Sequence, residues 1–144
     1  MPNRPIRDII KRGRLVTCAE STTVAEAARE MKAAKVGAIL IMKGDKLAGI
    51  FTERDALNRV LAEGLDPAKT PLSRVMTKDP DTISSDRPFG QALIMMYDHG
   101  YRHMPVVEGG KPVGIVSMRD AAPPELKDLE VDVEQREHIR EILG

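Results

Sequence analysis

Tryptophan is missing, and the 144 residues include only two tyrosines (Tyr97, Tyr101) and two phenylalanines (Phe51, Phe89). Platforms on which bases could stack are therefore nearly absent. Excess charge is missing too: 22 Lys and Arg face 22 Asp and Glu. No global field draws in a polyanion, so nucleic acid is not an expected partner. The single cysteine, Cys18, cannot close an internal disulfide, and no Cys/His spacing suits a metal. No apolar run approaches the ~18 residues that span a bilayer, and Met1-Pro2-Asn3-Arg4-Pro5 lacks the apolar core of a secretory signal. A cytoplasmic protein with no membrane partner is expected. No nucleophile–base pair or P-loop is present, and His99, His103 and His138 show no recognisable catalytic arrangement in the sequence, so no enzymatic activity is expected. The hydrophobic share of 42% is that of a globular domain.

What the chain does have is a repeat. Gly49-Ile50-Phe51-Thr52-Glu53-Arg54-Asp55 returns 65 positions later as Gly114-Ile115-Val116-Ser117-Met118-Arg119-Asp120. The register holds without a gap back to Thr17 and Thr82, through Ala27/Ala92, Met31/Met96, Gly44/Gly109 and Lys46/Lys111, with nine of 39 positions identical. A period this long implies two copies of one supersecondary unit, since solenoids repeat every ~20–50 residues.

Each copy reads as β-α-β-β-α. In the first, residues 15–18 suit a strand, and Thr23 with Glu26 forms a capping box. Val24, Ala27, Ala28, Met31 and Ala34 then recur at helical spacing until Gly37. The apolar run 38–42 reads as a buried strand, with 47–51 as its hairpin partner. A second helix is expected from Thr52, carrying Leu57, Val60 and Leu61 inward until Gly64. The second copy runs in parallel, with a strand at 82–83, a helix over 89–99 and a hairpin of 104–107 with 113–116. The expected units are 1–65, with a small helix around Ile6, Ile9 and Ile10, then 66–122, with a helical turn at 72–76 in its linker, and 123–144. Pro123-Pro124 is expected to break the chain before a charged helix capped by Asp132 and Gln135. The 89–99 helix is apolar beyond its core stripe, because Ile94 and Met95 stand where the first copy has Arg29 and Glu30. Such a helix is buried on more than one side. A second subunit in a homodimer is the expected cover, with burial between the copies as the alternative.

Thr52-x-x-Asp55 and Ser117-x-x-Asp120 have a structural reading as helix caps. A functional reading rests on their recurrence and on Gly49 and Gly114, which allow close backbone approach. It rests also on the free N–H groups of a helix start, which suit a phosphate. A carboxylate at this position can bind a ribose diol, and Arg54 or Arg119 can add charge-assisted bonds to phosphate.

With Val75-Met76-Thr77-x-x-Pro80 and Tyr101-Arg102-His103-Met104-Pro105-Val106-Val107, these motifs resemble a tandem pair of CBS (cystathionine β-synthase) domains over residues 6–122. The resemblance implies an α/β (α+β) fold of two repeats with pseudo-two-fold symmetry, like the small bacterial proteins made of one such pair. It implies that Asp55 and Asp120 hold ribose hydroxyls and that Thr52 and Ser117 lie near ribose or phosphate. It assigns an adenine slot to Thr17, Cys18, Ala19, Gly37, Ala38, Ile39, Thr82, Ile83, Ser84, His103, Met104 and Pro105. Arg102 and His103 are implied to face phosphates between the copies. The first copy has Gly37 and Ala38 there, so charge at the shared cleft is lopsided. Taken alone, Cys18 is a small core residue, and a lone His103 is as readily structural. The implied function is a regulatory module sensing an adenine nucleotide (AMP, ADP, ATP or an NAD-type dinucleotide), with no cofactor required. Binding would shift dimer geometry for a partner protein to read. The alternative is a ligand-free dimerisation or interaction module.

Overall fold

The computed structural model of the chain describes residues 4–10 and 15–143; the outermost expected boundaries, at Met1 and Gly144, lie outside them. The first repeat runs β1 (Thr17–Ala19), α1 (Val24–Ala34), β2 (Ala38–Lys43), β3 (Lys46–Thr52) and α2 (Glu53–Asp55), which widens into a π-turn over Ala56–Leu61. Next come α3 (Leu72–Val75) and β4 (Thr77–Lys78). The second repeat is β5 (Ile83–Ser84), α4 (Phe89–His99), β6 (His103–Glu108), β7 (Lys111–Ser117) and a 3-10 turn at Met118–Asp120, followed by α5 (Pro123–Leu143). The fold is thus the expected mixed α and β arrangement of two copies.

The copies agree in detail. Each builds a sheet in which the first strand pairs parallel with the second and the second antiparallel with the third. β4 extends the first sheet beside β3. Both hairpins shift register at equivalent points, between Ile41 and Met42 and between Val106 and Val107. Thr23 caps α1, its hydroxyl oxygen accepting the Glu26 amide at 3.2 Å. The continuous apolar run of β2 is explained by burial on both faces: Ile39 and Ile41 enter the first repeat's core, while Ala38 and Leu40 join Ile50 in a third cluster. Ile115 of β7 packs against that cluster, closing the seam between the repeats.

The segments that precede the repeats are exchanged. Ile6 and Ile10, at the start of the chain, are buried in the second repeat's core with Phe89, Leu93 and Met104. Leu72, Val75 and Met76, in the linker, are buried in the first repeat's core with Val24, Ile39 and Phe51. The backbone repeats the same contact twice: the Ile6 amide donates to the Arg87 carbonyl at 3.0 Å, and the Leu72 amide donates to the Thr22 carbonyl at 2.8 Å. Pro5 bridges Pro88 just as Pro71 bridges Thr23. This exchange explains the two repeated glycines. A Cβ on Gly114 would lie 2.9 Å from Ile10 Cβ, and one on Gly49 would lie 2.5 Å from Met76 Sδ. The close approach anticipated at these glycines is made by the exchanged side chains.

Several local expectations need correction. Helix α1 ends at Ala34 with Lys35, not Gly37, as its left-handed cap (φ 57°, ψ 45°). In the second repeat Gly100 takes the same role (φ 76°). Leu57 and Leu61 do not turn inward; they are 56% and 74% exposed and only Val60 is buried. The wide turn is the cause: Ala62 N–H bonds to Leu57 O and Leu65 N–H to Val60 O, five residues back, so α-helical spacing no longer defines one face. The Ile6, Ile9, Ile10 segment makes a 3-10 turn (Ile6–Asp8). Pro123-Pro124 opens α5, because proline needs no N–H in a first turn. Asp132 and Gln135 therefore lie inside the helix and cap nothing. The cap is Glu125, whose Oε1 accepts the Ala122 amide at 2.8 Å. Part of the cover on α4 comes from this chain, for Leu129 of α5 packs on the second core beside Met95. Arg136 also donates to both carboxylate oxygens of Asp98 on α4, at 2.7 and 2.8 Å.

Candidate functional site

At the end of β3 the chain enters α2 through a reciprocal cap. The Asp55 amide donates to Thr52 Oγ1 at 3.2 Å, while Asp55 Oδ2 accepts from the Thr52 amide at 2.9 Å and its hydroxyl at 3.2 Å. The second oxygen, Oδ1, faces Arg59 Nε at 3.6 Å. Arg59 is held in turn by the carbonyls of Val75 and Met76, at 3.2 and 3.0 Å. Asp55 is thus fixed and half-buried. At the end of β7, Asp120 Oδ2 accepts the Ser117 amide at 2.8 Å and the hydroxyl at 3.5 Å. Its Oδ1 makes no hydrogen bond or ion pair among the described residues, and the side chain is exposed. The same cap therefore leaves one carboxylate occupied and the other with an oxygen to offer.

Each aspartate opens onto a cavity completed by the other repeat. The Asp55 cavity, about 560 Å³, has Ile50, Thr52 and Arg54 on one side. Tyr101, Arg102 and His103 of the second repeat, and Asp79 and Asp81 of the linker, form the other. The Asp120 cavity, about 340 Å³, has Ile115, Ser117 and Arg119 facing Lys35, Gly37 and Ala38 of the first repeat, with Ile10 and Leu15 as apolar floor. The walls correspond across the 65-residue repeat. His103 lines both cavities. Gly37 makes room for it, since a Cβ there would lie 3.0 Å from His103 Nε2 and 3.2 Å from Glu53 Oε1.

Burial holds the His103 imidazole below its ordinary pKa, although Glu53 and Asp120 pull it up. It is therefore neutral at pH 7 and reaches both cavities as a hydrogen-bonding group rather than a charge. Burial, then the hydrogen bond to Asp81 at 2.8 Å, pushes the Tyr101 phenol upward. Burial also raises the Cys18 thiol, against a hydrogen bond with Thr22.

Of the expected site residues, Thr52, Arg54, Asp55, Arg102 and His103 come together at the Asp55 cavity. Gly37, Ala38, His103, Ser117, Arg119 and Asp120 do so at the Asp120 cavity. Thr17, Cys18 and Ala19 form β1 beside Leu40, Ile41 and Met42 and line neither. Ile39, Ile83 and Met104 are core residues; Pro105 is buried in β6 and Thr82 is exposed. Sequence reasoning missed Lys35, Asp79 and Asp81. Lys35 was within reach, for the 65-residue offset aligns 35–38 with 100–103, the loop chosen for Arg102 and His103.

The model of the CBS-domain family matches residues 6–62 and 72–122. The chain belongs to the CBS-domain family. Its two CBS domains are the two repeats. They are 38% identical over 110 residues to the CBS domain-containing protein CBSCBSPB2 of Arabidopsis thaliana, a match of 76% of this chain but 20% of the plant protein. The chain thus spans about a fifth of the length of that relative. Among solved structures, the CBS domain protein PAE2072 from Pyrobaculum aerophilum, complexed with AMP, is similar at TM-score 0.78 and 28% identity, covering 89% of this chain and 99% of that one. The CBS domain pair of protein MJ0100, in complex with 5′-methylthioadenosine and S-adenosyl-L-methionine, is similar at TM-score 0.74 and 26% identity, over 83% and 93%. Among the described residues no helix is long and apolar enough to cross a membrane.

Proposed function

We propose that this CBS pair is a regulatory module that binds an adenine nucleotide, such as AMP, ADP, ATP or an NAD-type dinucleotide, between its two repeats. The observation that carries this reading is the composition of the cavities: each hydroxyl-x-x-aspartate corner faces a loop of the other repeat. A ligand held there touches both repeats and biases their relative placement. Asp120 Oδ1 would accept a ribose hydroxyl, with Arg119 near the phosphate. That relatives of similar fold carry AMP, methylthioadenosine or S-adenosylmethionine supports the adenosine class. The exposed side chains of Leu57 and Leu61 offer apolar surface for a homodimer, through which the change would reach a partner protein in the cytoplasm. No catalytic role is assigned to the chain.

One observation favours a second reading, a ligand-free interaction module. Both oxygens of Asp55 are already engaged, by the Thr52 cap and by Arg59. Calorimetric titration of the wild type with AMP and ATP separates the two. Saturable binding that weakens in Asp120→Ala supports nucleotide sensing; no heat at millimolar nucleotide supports the interaction module.

A further inference from the structure

The two cavities share an architecture but not a charge. Among the charged residues that line the Asp120 cavity, Lys35 and Arg119 face the single carboxylate of Asp120. At the Asp55 cavity two arginines, Arg54 and Arg102, face four carboxylates, Glu53, Asp55, Asp79 and Asp81. Arg59, bonded to Asp55 from behind, offsets one of these and leaves the balance acidic. Arg54 is committed to the rim, where it donates to the Gly100 carbonyl at 3.1 Å. The Arg102-His103 pair, expected to favour phosphate, thus enters a cavity in which acids outnumber it.

The backbone points the same way. Among the described residues only two non-glycine residues adopt positive φ, Lys35 (57°) and Asp79 (46°), and each lines one of the cavities. A lysine in the left-handed region is costly. Here it closes α1, its amide donating to the Lys32 carbonyl and the Val36 amide to the Met31 carbonyl at 3.2 and 3.0 Å, a role glycine fills at lower cost. The second repeat shows the relaxed solution at the position equivalent to Lys35, which is Gly100. A strained residue that persists where glycine serves elsewhere in the same chain signals use of its side chain. Here that side chain is a cation at the Asp120 cavity, whereas the other such residue, Asp79, brings a carboxylate to the Asp55 cavity.

We propose that the cavities divide adenosine ligands by the charge at the 5′ end: the Asp120 cavity takes the phosphorylated nucleotide, with Lys35 on its phosphate, and the Asp55 cavity takes an adenosine whose 5′ substituent is uncharged or cationic, such as a thioether or sulfonium. This division rests on the adenine-nucleotide reading above and specifies it. A cation beside carboxylates gains, and a phosphate beside them loses, about fivefold per unit charge at roughly 4 Å even in water.

Titration of the full chain with AMP and, separately, with S-adenosylmethionine tests this, using Lys35→Gly and the double variant Glu53→Gln/Asp79→Asn. Lys35→Gly copies the second repeat, so it should fold with an equal or higher melting temperature while AMP affinity falls about fivefold. The double variant leaves both helix caps intact. It should weaken S-adenosylmethionine about twentyfold and raise AMP stoichiometry from one to two per chain. Unchanged AMP affinity in Lys35→Gly, or unchanged S-adenosylmethionine affinity in the double variant, overturns the division even though nucleotides bind. Absence of any binding by the wild type overturns the nucleotide reading itself.

Discussion

If Gly49 is conserved within the repeat to admit the exchanged linker, then Gly49→Ala should destabilise the fold in a way that Met76 controls. A new Cβ would meet Met76 Sδ at 2.5 Å, Thr77 O at 2.8 Å and Met76 Cγ at 3.0 Å. The thioether can swing aside, but the Thr77 carbonyl cannot, because Thr77 is paired with Ile50 in the β3–β4 ladder. Overpacking of this kind costs about 1–3 kcal/mol, and lower unfolded-state entropy returns about 0.4–1 kcal/mol. The net is a loss of about 1–2 kcal/mol, or roughly 3–8 °C in melting temperature for a chain of this size. Met76→Ala alone costs about 2–3 kcal/mol as a cavity in the first core. The double variant should lose about 1 kcal/mol less than the sum, since two of the three contacts disappear. Gly44→Ala supplies the contrast. Its φ is +62° with nothing within 4 Å, so it should cost about 1 kcal/mol from backbone strain and show no coupling to Met76→Ala. Calorimetric melting of the three single variants and of the two doubles with Met76→Ala decides the matter. A Gly49→Ala protein as stable as the wild type, or strictly additive with Met76→Ala, refutes the packing account of the repeated glycine.

Asp55→Ala and Asp120→Ala each remove a cap and should lower stability by about 1 kcal/mol in thermal melts without ligand; no loss would show that these corners do not hold their helical turns. The hydrogen bond from Arg4 holds Glu125 below the ordinary carboxylate range. That contribution is present above pH 4.5 and lost as pH falls through the lowered value, so the stability gap between Arg4→Ala and the wild type should narrow as pH falls below 4.5, leaving the part due to the Arg4 bond with the Asp120 carbonyl. If the difference is as large at pH 3 as at pH 7, the ion pair is not its source. His103 has the opposite sign: its folded pKa lies below 6.5, the unfolded chain binds the proton more readily, and stability falls as pH drops from 6.5 towards that lowered value. His103→Gln should flatten this slope in melts between pH 5 and 7.5, and an unchanged slope would reject a buried neutral imidazole.

The repeat made most of the fold legible, because a period-2 or period-3.6 apolar pattern that occurs twice in register leaves little room for error. The positions of α1, α4 and both hairpins follow from it. What the repeat concealed is non-local. Nothing in Ile6 and Ile10 says that they pack in the second repeat's core, Ile10 against Gly114, rather than in the adjacent first repeat. Helical spacing misplaced Leu57 and Leu61 because a π-turn answers to five-residue bonds that leave no composition signal. At the site, the aspartates and Arg102-His103 were readable as motif residues. Thr17, Cys18 and Ala19, assigned to the adenine slot, form β1 and are not among the residues that line these two cavities. Lys35 and Asp79 escaped notice because a left-handed backbone angle at a non-glycine residue leaves no composition signal.

The claim on which the account turns is that an adenine ligand sits between the repeats against Asp120. Isothermal titration of the wild type and Asp120→Ala with AMP tests it directly. The account predicts saturable binding by the wild type, weakened at least tenfold in a variant that still melts cooperatively. Binding of equal strength in both proteins, or no binding at millimolar AMP, would contradict it.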